Sequence, residues 1–415
     1  MQAVILAGGF GTRLSHIVPQ VPKPMAPVQD IPFLDYLYRQ LLKNGCDRFL
    51  LLTGYKAEVI EEYFKTFHNV SFLREEHPLG TGGALLNALS QNLLEEEFLL
   101  VNGDTFFNAD FTLLSRCHHP DSITMALRFS EDISRYGLVE IKDDDPSADP
   151  HLSYPVISFS EKTNLPPRQI DGYINAGTYL ISRTVLEDLT EKKVFTGKDN
   201  PLSLENSILP LLSSQGKLYG LPLGGAFIDI GIPDDYYRAQ NFIPDTFKTV
   251  LRPALFSDKD GTLIEDSGYV HGPKVTLIDP AINFIKNEYL SRGYQLVLIT
   301  NQAGVAKKKF SEQEMHENLE ALTESCRKCG VEFDDMEYCC YFDGAPDKNY
   351  DYRSLCRKPH PGMLLKACEK LGIDLASSVM LGDREDVDRV RLPYLKCVII
   401  KNGEIQSSDD NQMNN

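Results

Sequence analysis

Apolar residues in the first part of the chain fall into short unbroken runs, separated by stretches in which they recur every three or four positions. The runs AVILAG, RFLLLTG and EFLLVNGDT alternate with PFLDYLYRQLLKNG and AEVIEEYFKTF. Runs that are apolar throughout suit strands covered on both faces, and the wider spacing suits helices burying one stripe. Their alternation predicts a parallel sheet with helices packed on it. The pattern lasts to about Ile243, and Pro244 and Pro253 then punctuate the short stretch PDTFKTVLRP. A fresh set follows: ALFSDKDGT, PAINFIKNEYLSRG, QLVLITNQAG, EQEMHENLEALTESCRKCG, PGMLLKACEKLG, SVMLGD and KCVIIKNG. The expectation is an α/β chain of two domains, 1–243 and 254–403, joined by a linker over 244–253. The ending, 404–415, is polar and reads as a disordered tail. A chain of 415 residues also exceeds what one core usually serves.

Composition narrows the function. The net charge of -17 argues against nucleic acid or an anionic membrane as partner, since both need basic surface. Phosphate binding then depends on a few placed cations. Nine Cys without a regular framework read as reduced thiols, hence a cytoplasmic setting. Cys326 and Cys329 form a C-x-x-C with no second pair at ligand spacing, so a metal role there is not expected. MQAVILAGG lacks a basic start and reads as a strand, and no apolar stretch approaches the ~18 residues of a membrane span.

In LAGGFGTRL a strand meets a turn with Gly8, Gly9 and Gly11, then Thr12 and Arg13. Such glycines let backbone N–H groups approach a phosphate, and Arg13 adds a planar fork of donors. Lys23 lies between Pro22 and Pro24, which hold its backbone and so its ammonium. Gly80, Thr81 and Gly82 open a helix in PLGTGGALLNAL, in the manner of a loop pressed against a flat base. Asp104 and Asp229 each end a strand-like run, and two such carboxylates could hold Mg²⁺ against phosphates.

The intact G-G-x-G-T-R-L and P-K-P motifs resemble those of the sugar-1-phosphate nucleotidyltransferases, and the resemblance covers about the first 240 residues. It implies a Rossmann-like, GT-A-like mixed sheet, with Gly8, Gly9, Gly11, Thr12, Arg13, Lys23, Gly80, Thr81 and Gly82 on the nucleoside triphosphate and Asp104 and Asp229 on the metal. Glu161 and Lys162 look like the family's E-K pair for sugar hydroxyls and phosphate. Asn175, Gly177 and Glu205 match its sugar contacts. The wording KPMAP, PFLDYL, GYKAEVIEEYF and PLGTGGA looks most like the branch acting on D-glycero-α-D-manno-heptose 1-phosphate with GTP.

The second domain opens with Asp258 and Asp260, followed by Gly261, after the strand ALFS. A turn at the glycine can swing both carboxylates into one site, where one attacks phosphorus and the other protonates the leaving oxygen. The alternative of a calcium loop lacks the helix before it and the closing Glu. Thr300 and Asn301 end a strand, Lys358 precedes Pro359, and Asp383 ends another strand. This set resembles the haloacid dehalogenase-type (HAD) phosphatases, which implies a Rossmannoid parallel sheet, here without a large cap. DSGYVH, TNQAG and CRKPHPGM look like heptose 1,7-bisphosphate 7-phosphatases. By that likeness Asp258 is the nucleophile and Asp260 the acid/base. Thr300, Asn301, Arg357 and Lys358 meet phosphate, and Asp258, Asp260 and Asp383 hold Mg²⁺. Two departures stand out. Cys340-Tyr341-Phe342 and Ser354-Leu355-Cys356 lack two of the four zinc ligands common in that group, so no zinc is expected. Val387 stands where the family has an acid, leaving Asp386 or Asp388 to substitute by a one-residue shift.

The two sites look chemically consecutive: removal of one phosphate from heptose 1,7-bisphosphate, then GMP transfer from GTP to heptose 1-phosphate. Small-molecule substrates and Mg²⁺ at both sites are the implied partners, and a homo-oligomer stays open. The alternatives are a hexose substrate such as mannose 1-phosphate, or a C-terminal domain kept as a non-catalytic binding module.

Overall fold

The computed structural model describes residues 1–11, 13–133, 138–144, 149–160, 170–191, 201–266, 268–269, 271–401 and 404–408, apart from the side chains of Phe159 and Ser160. It divides into two compact units, the first of which ends at Thr249. Residues 129–133 and 170–173 group with the second unit, which otherwise starts at Val250.

The first unit is built on a mixed sheet. Val70–Arg74, Arg48–Thr53, Gln2–Ala7 and Glu97–Asn102 lie side by side and parallel. Gln2–Ala7 is central and buried nearly throughout, as its unbroken apolar run requires. Gly172–Ser182 then pairs antiparallel to Glu97–Asn102, and Ile123–Ser130, Leu218–Pro222, Tyr154–Ser160 and Leu138–Ile141 complete the order. Phe33–Lys43 is helical because Phe33, Leu34, Leu37 and Leu41 recur at helical spacing and are buried.

The second unit has a six-stranded sheet in the order Asp335–Cys339, Gln295–Asn301, Ala254–Ser257, Val379–Gly382, Lys396–Lys401, Glu404–Ser408. Its first five strands are parallel. Helix Glu312–Lys328 starts with a reciprocal Ser311–Glu314 capping box and buries Met315, Leu319, Leu322 and Cys326. No helix among the described residues is long and apolar enough to cross a membrane, and all nine cysteines are free thiols.

Two boundaries differ from the sequence reading. The stretch 244–253 is not a linker throughout, because helix Pro233–Lys248 runs through Pro244. Pro244 has no N–H for the Gln240 carbonyl four residues back, and Gln29 Nε2 donates to that oxygen instead at 3.1 Å. Buried Tyr236, Ala239 and Ile243 hold this helix against the core. Nor is 404–415 all tail: Glu404–Ser408 pairs antiparallel with Lys396–Lys401. Ladder bonding uses main-chain groups, so a polar segment can close a sheet edge without apolar anchors.

Candidate active sites

In the first unit the carboxyl end of Gln2–Ala7 leads into the glycine turn, which borders a cavity of about 510 Å³. Gly8, Gly9, Gly11, Arg13, Lys23, Gly80, Thr81, Asp104 and Glu205 all line it. Gly11 adopts φ +59°, and a Cβ there would lie 2.6 Å from that of Lys23, so only glycine lets the lysine segment pass so close. Thr105–Asn108 pairs with Ala226–Asp229 such that Asp229 faces Thr105, which brings Asp229 next to Asp104. The Lys23 ammonium reaches both carboxylates, 2.6 Å from Asp104 Oδ2 and 3.6 Å from Asp229 Oδ1. Burial, then the neighbouring Asp104, pushes the Asp229 carboxyl upward, and Lys23 opposes the shift.

Asn175 accepts from the Gly177 N–H at 2.9 Å and donates to the Tyr179 hydroxyl at 2.7 Å. Gly177, at φ +69°, passes so close to Asn102 that a Cβ would lie 2.8 Å from its Nδ2. Asn102 also lines the cavity and has a buried Oδ1 without a hydrogen bond. It was not singled out from sequence, although NGDT places it two residues before Asp104. Glu205 accepts from Thr81 Oγ1 at 2.9 Å. Gly82 is not brought to the cavity: a Cβ there would meet Ile208 Cδ1 at 2.8 Å, which makes it a packing position. The Gly82 and Gly83 N–H groups both point to the Leu202 carbonyl, so these two amides do not read a base. Thr12, Glu161 and Lys162 lie outside the described residues.

In the second unit the chain leaves strand Ala254–Ser257 at Asp258. A cavity of about 330 Å³ is lined by Asp258, Asp260, Asn301, Gln302, Arg357, Lys358, Asp383 and Asp388, among others. Lys358 is buried, with its ammonium 2.5 Å from Asp258 Oδ1 and 2.6 Å from Asp388 Oδ1. Burial is the larger effect and pushes the Asp258 carboxyl up to about 7, with Lys358 opposing the shift. Asp388 Oδ2 accepts from the N–H groups of Asp383 and Arg384, which fixes the carboxylate. Of the two carboxylates flanking Val387, Asp388 is buried beside Lys358, while exposed Asp386 pairs with Arg384 at 2.8 Å.

Two glycines make this crowding feasible. A Cβ at Gly261 would lie 2.2 Å from Asp383 Oδ2, and one at Gly382 would lie 2.2 Å from the Asp388 Cβ. Asp260 stands apart from the carboxylate cluster: its Oδ1 pairs at 2.7 Å with fully buried Lys259, a residue the sequence reading passed over. Burial raises the Asp260 carboxyl, again with the lysine opposing.

Of the two residues expected at phosphate, Asn301 lines this cavity. Asn301 brackets Lys358 through both of its main-chain polar groups, at 3.0 and 3.1 Å, and so positions the lysine. Thr300 is buried and accepts from Gln302 Nε2 at 2.9 Å. Arg357 lies with its guanidinium 5.0 Å from the Phe342 ring centre. In the stretch 354–356, Ser354 Oγ and the Leu355 N–H both donate to buried Asp171, at 2.5 and 2.7 Å.

Among the described residues one group of three metal-ligating side chains lies within 4.8 Å of one another: Asp258, Asp383 and Asp388. Asp383 Oδ1 is buried without a hydrogen bond, and burial and Asp388 push its carboxyl up to about 6. An orphaned carboxylate oxygen among further carboxylates fits a hard dication such as Mg²⁺. Asp388, rather than Asp260, is the third member. In the first unit Asp104 and Asp229 offer two carboxylates, a set that suits Mg²⁺ when substrate phosphates complete its shell.

The fold and both sites define an enzyme of phosphorus chemistry, a nucleotidyltransferase region followed by a HAD-type phosphatase domain. The chain belongs to the nucleotidyl transferase family, whose model matches residues 2–246. A HAD-hydrolase-like model matches residues 355–413, which include Arg357, Lys358, Asp383 and Asp388. A D-glycero-alpha-D-manno-heptose 1-phosphate guanylyltransferase of Aneurinibacillus thermoaerophilus is 38% identical over 247 residues, 58% of this chain and 97% of that one. A mannose-1-phosphate guanylyltransferase of Mycobacterium tuberculosis is 30% identical over 65% of this chain and 71% of that one. The crystal structure of HddC from Yersinia pseudotuberculosis complexed with GMP-PN is 33% identical, covering 58% of this chain and 98% of that one at a TM-score of 0.48.

Proposed function

We propose that the chain carries out two consecutive steps towards GDP-D-glycero-α-D-manno-heptose. The second unit removes the 7-phosphate of heptose 1,7-bisphosphate. A carboxylate oxygen of Asp258 attacks phosphorus, the bond from phosphorus to the sugar oxygen breaks, and Asp260 gives that oxygen its proton. Water, yielding a proton back to Asp260, then attacks the aspartyl-phosphate, releasing inorganic phosphate and restoring Asp258. Lys358 offsets charge on the phosphoryl oxygens throughout. The first unit aligns an oxygen of heptose 1-phosphate with the α-phosphorus of GTP, and pyrophosphate leaves. Arg13 and Lys23 bind phosphate oxygens there, so positioning and charge supply the catalysis. Mg²⁺ held by Asp104 and Asp229, and by Asp258, Asp383 and Asp388, would neutralise phosphate charge in each site.

The observation that carries this reading is the Lys358 ammonium locked between Asp258 and Asp388 at 2.5 and 2.6 Å. With the 38% identity of the first unit to a heptose 1-phosphate guanylyltransferase, it supports phosphate removal and GMP transfer in one chain. The 30% identity to a mannose-1-phosphate guanylyltransferase supports a second reading in which the sugar is mannose. Asp258→Asn tests the assignment. It should abolish phosphate release from the bisphosphate and leave GTP turnover with heptose 1-phosphate intact. Hydrolysis that survives would refute the nucleophile, and turnover with mannose 1-phosphate alone would favour the second reading.

A further inference from the structure

We propose that Lys259 is a positioning residue of the phosphatase site, holding Asp260 by one carboxylate oxygen so that it stays out of the metal cluster and in place to protonate the leaving sugar oxygen. This rests on the phosphate-removal reading above and names the residue that keeps the acid/base apart from the metal ligands. Lys259 lies between the two carboxylates of DKDG and is fully buried. It does not line the cavity that Asp258 and Asp260 border, so its ammonium does not meet substrate. Its Nζ sits 2.7 Å from Asp260 Oδ1. Its carbonyl accepts the N–H groups of Leu263 and Ile264, at 2.9 and 3.1 Å, which closes the turn that carries Asp260. A third group fixes the ammonium. Asn318 Oδ1 accepts from it at 2.8 Å, and Asn318 Nδ2 donates to the Gly272 carbonyl at 2.9 Å.

Packing alone explains neither residue. Asn318 is buried on the stripe of helix Glu312–Lys328 that also buries Met315, Leu319 and Leu322. A lysine without exposure needs a paired charge, a demand that apolar residues at both positions would not make. What the pair does to Asp260 accounts for it. Both ends of the Asn318 amide are engaged, so its oxygen stays turned to Lys259 and the ammonium is held in one place. Asp260 needs such a restraint, because Asp258, Asp383 and Asp388 lie within 4.8 Å of one another. A carboxylate free to swing would join a dication held among them, and there it has no proton to give. With Oδ1 taken by Lys259, Oδ2, 3.5 Å from the Nε2 of cavity-lining Gln302, is the oxygen left for the substrate. Each carboxylate of DKDG thus has a buried lysine, Lys358 for Asp258 and Lys259 for Asp260.

The test uses full-length protein in excess over substrate, with saturating Mg²⁺, in single turnovers read by release of the leaving group. Lys259→Met should slow release of heptose 1-phosphate from heptose 1,7-bisphosphate about 100-fold, the range for a misplaced general acid. Release of nitrophenolate from 4-nitrophenyl phosphate, which leaves without a proton, should fall by no more than about threefold. Asn318→Leu loosens Lys259 without removing it and should show the same contrast at about tenfold. Mg²⁺ titrations followed by melting, without nucleotide, read the position of Asp260 apart from turnover. Freed from Lys259, Asp260 should join the metal and tighten Mg²⁺ about tenfold. Should Lys259→Met fail to fold, Asn318→Leu gives both readings. Equal losses on the two phosphate esters, or Mg²⁺ binding left unchanged or weakened, overturns the inference. Wild type that releases phosphate from no sugar phosphate overturns the phosphate-removal reading instead.

Discussion

Asp388→Asn separates a metal-binding carboxylate from one that merely pairs with Lys358. In the folded protein Asp388 is attracted by the Lys358 ammonium at 2.6 Å and repelled by two carboxylates within 4.8 Å. At an effective dielectric constant of about 20, the attraction comes to about 6 kcal/mol and each repulsion to about 3. The terms nearly cancel. An asparagine oxygen can still accept from the Asp383 and Arg384 N–H groups, so the metal-free protein should change in stability by no more than about 2 kcal/mol. The cluster meanwhile drops from three charged ligands to two, which should weaken Mg²⁺ on the order of 100-fold, about 2.7 kcal/mol. Two assays read this: phosphate release as a function of Mg²⁺, and melting with and without Mg²⁺. The variant should need far more Mg²⁺ for half-maximal rate and lose most of the Mg²⁺-dependent stabilisation. An unchanged Mg²⁺ midpoint, with metal-free stability falling by more than about 4 kcal/mol, would show that Asp388 is a structural partner of Lys358 and no more.

Lys23→Met should lower GMP transfer at least ~100-fold, since two adjacent carboxylates lose their shared counter-charge and the phosphates lose theirs. Phosphate release from the bisphosphate, measured on the same preparation, should not change. His118 supplies a pH prediction. Burial, with His119 beside it, lowers its pKa to about 4, and its ring nitrogens contact Thr124 and Ser182 hydroxyls at 2.7 and 2.9 Å. Its folded value lies below the unfolded one of about 6.5, so its stability is present above pH 6.5 and is lost as pH falls towards 4. Urea melts should give a loss of about 2 kcal/mol from this group between pH 7 and pH 5, absent in His118→Gln. An identical loss in both proteins would contradict the assignment.

Much of this was legible in the sequence because the residues that carry it lie at strand ends and glycine turns, where local wording fixes local geometry. The run LAGGFG and the proline-flanked Lys23 converge on one cavity, and ALFSDKDG delivers Asp258 to another. What escaped depends on distant parts of the chain meeting. Gly82 reads as part of a base-recognition loop until Ile208 is found packed against it. Asn301 reads as a plain phosphate ligand, and only the fold shows the Lys358 backbone, 57 residues on, meeting both ends of its amide. Asp388 and Asp386 are equivalent on paper, and only the direction of the turn after Gly382 buries one and exposes the other. Pro244 looks like a helix stop unless the Gln29 amide that serves Gln240 is known.

The central claim is that one chain performs both steps. Purified protein incubated with heptose 1,7-bisphosphate, GTP and Mg²⁺ and analysed by mass should yield GDP-heptose, inorganic phosphate and pyrophosphate. Recovery of the bisphosphate and GTP unchanged, or phosphate release with no GDP-heptose formed, would contradict it.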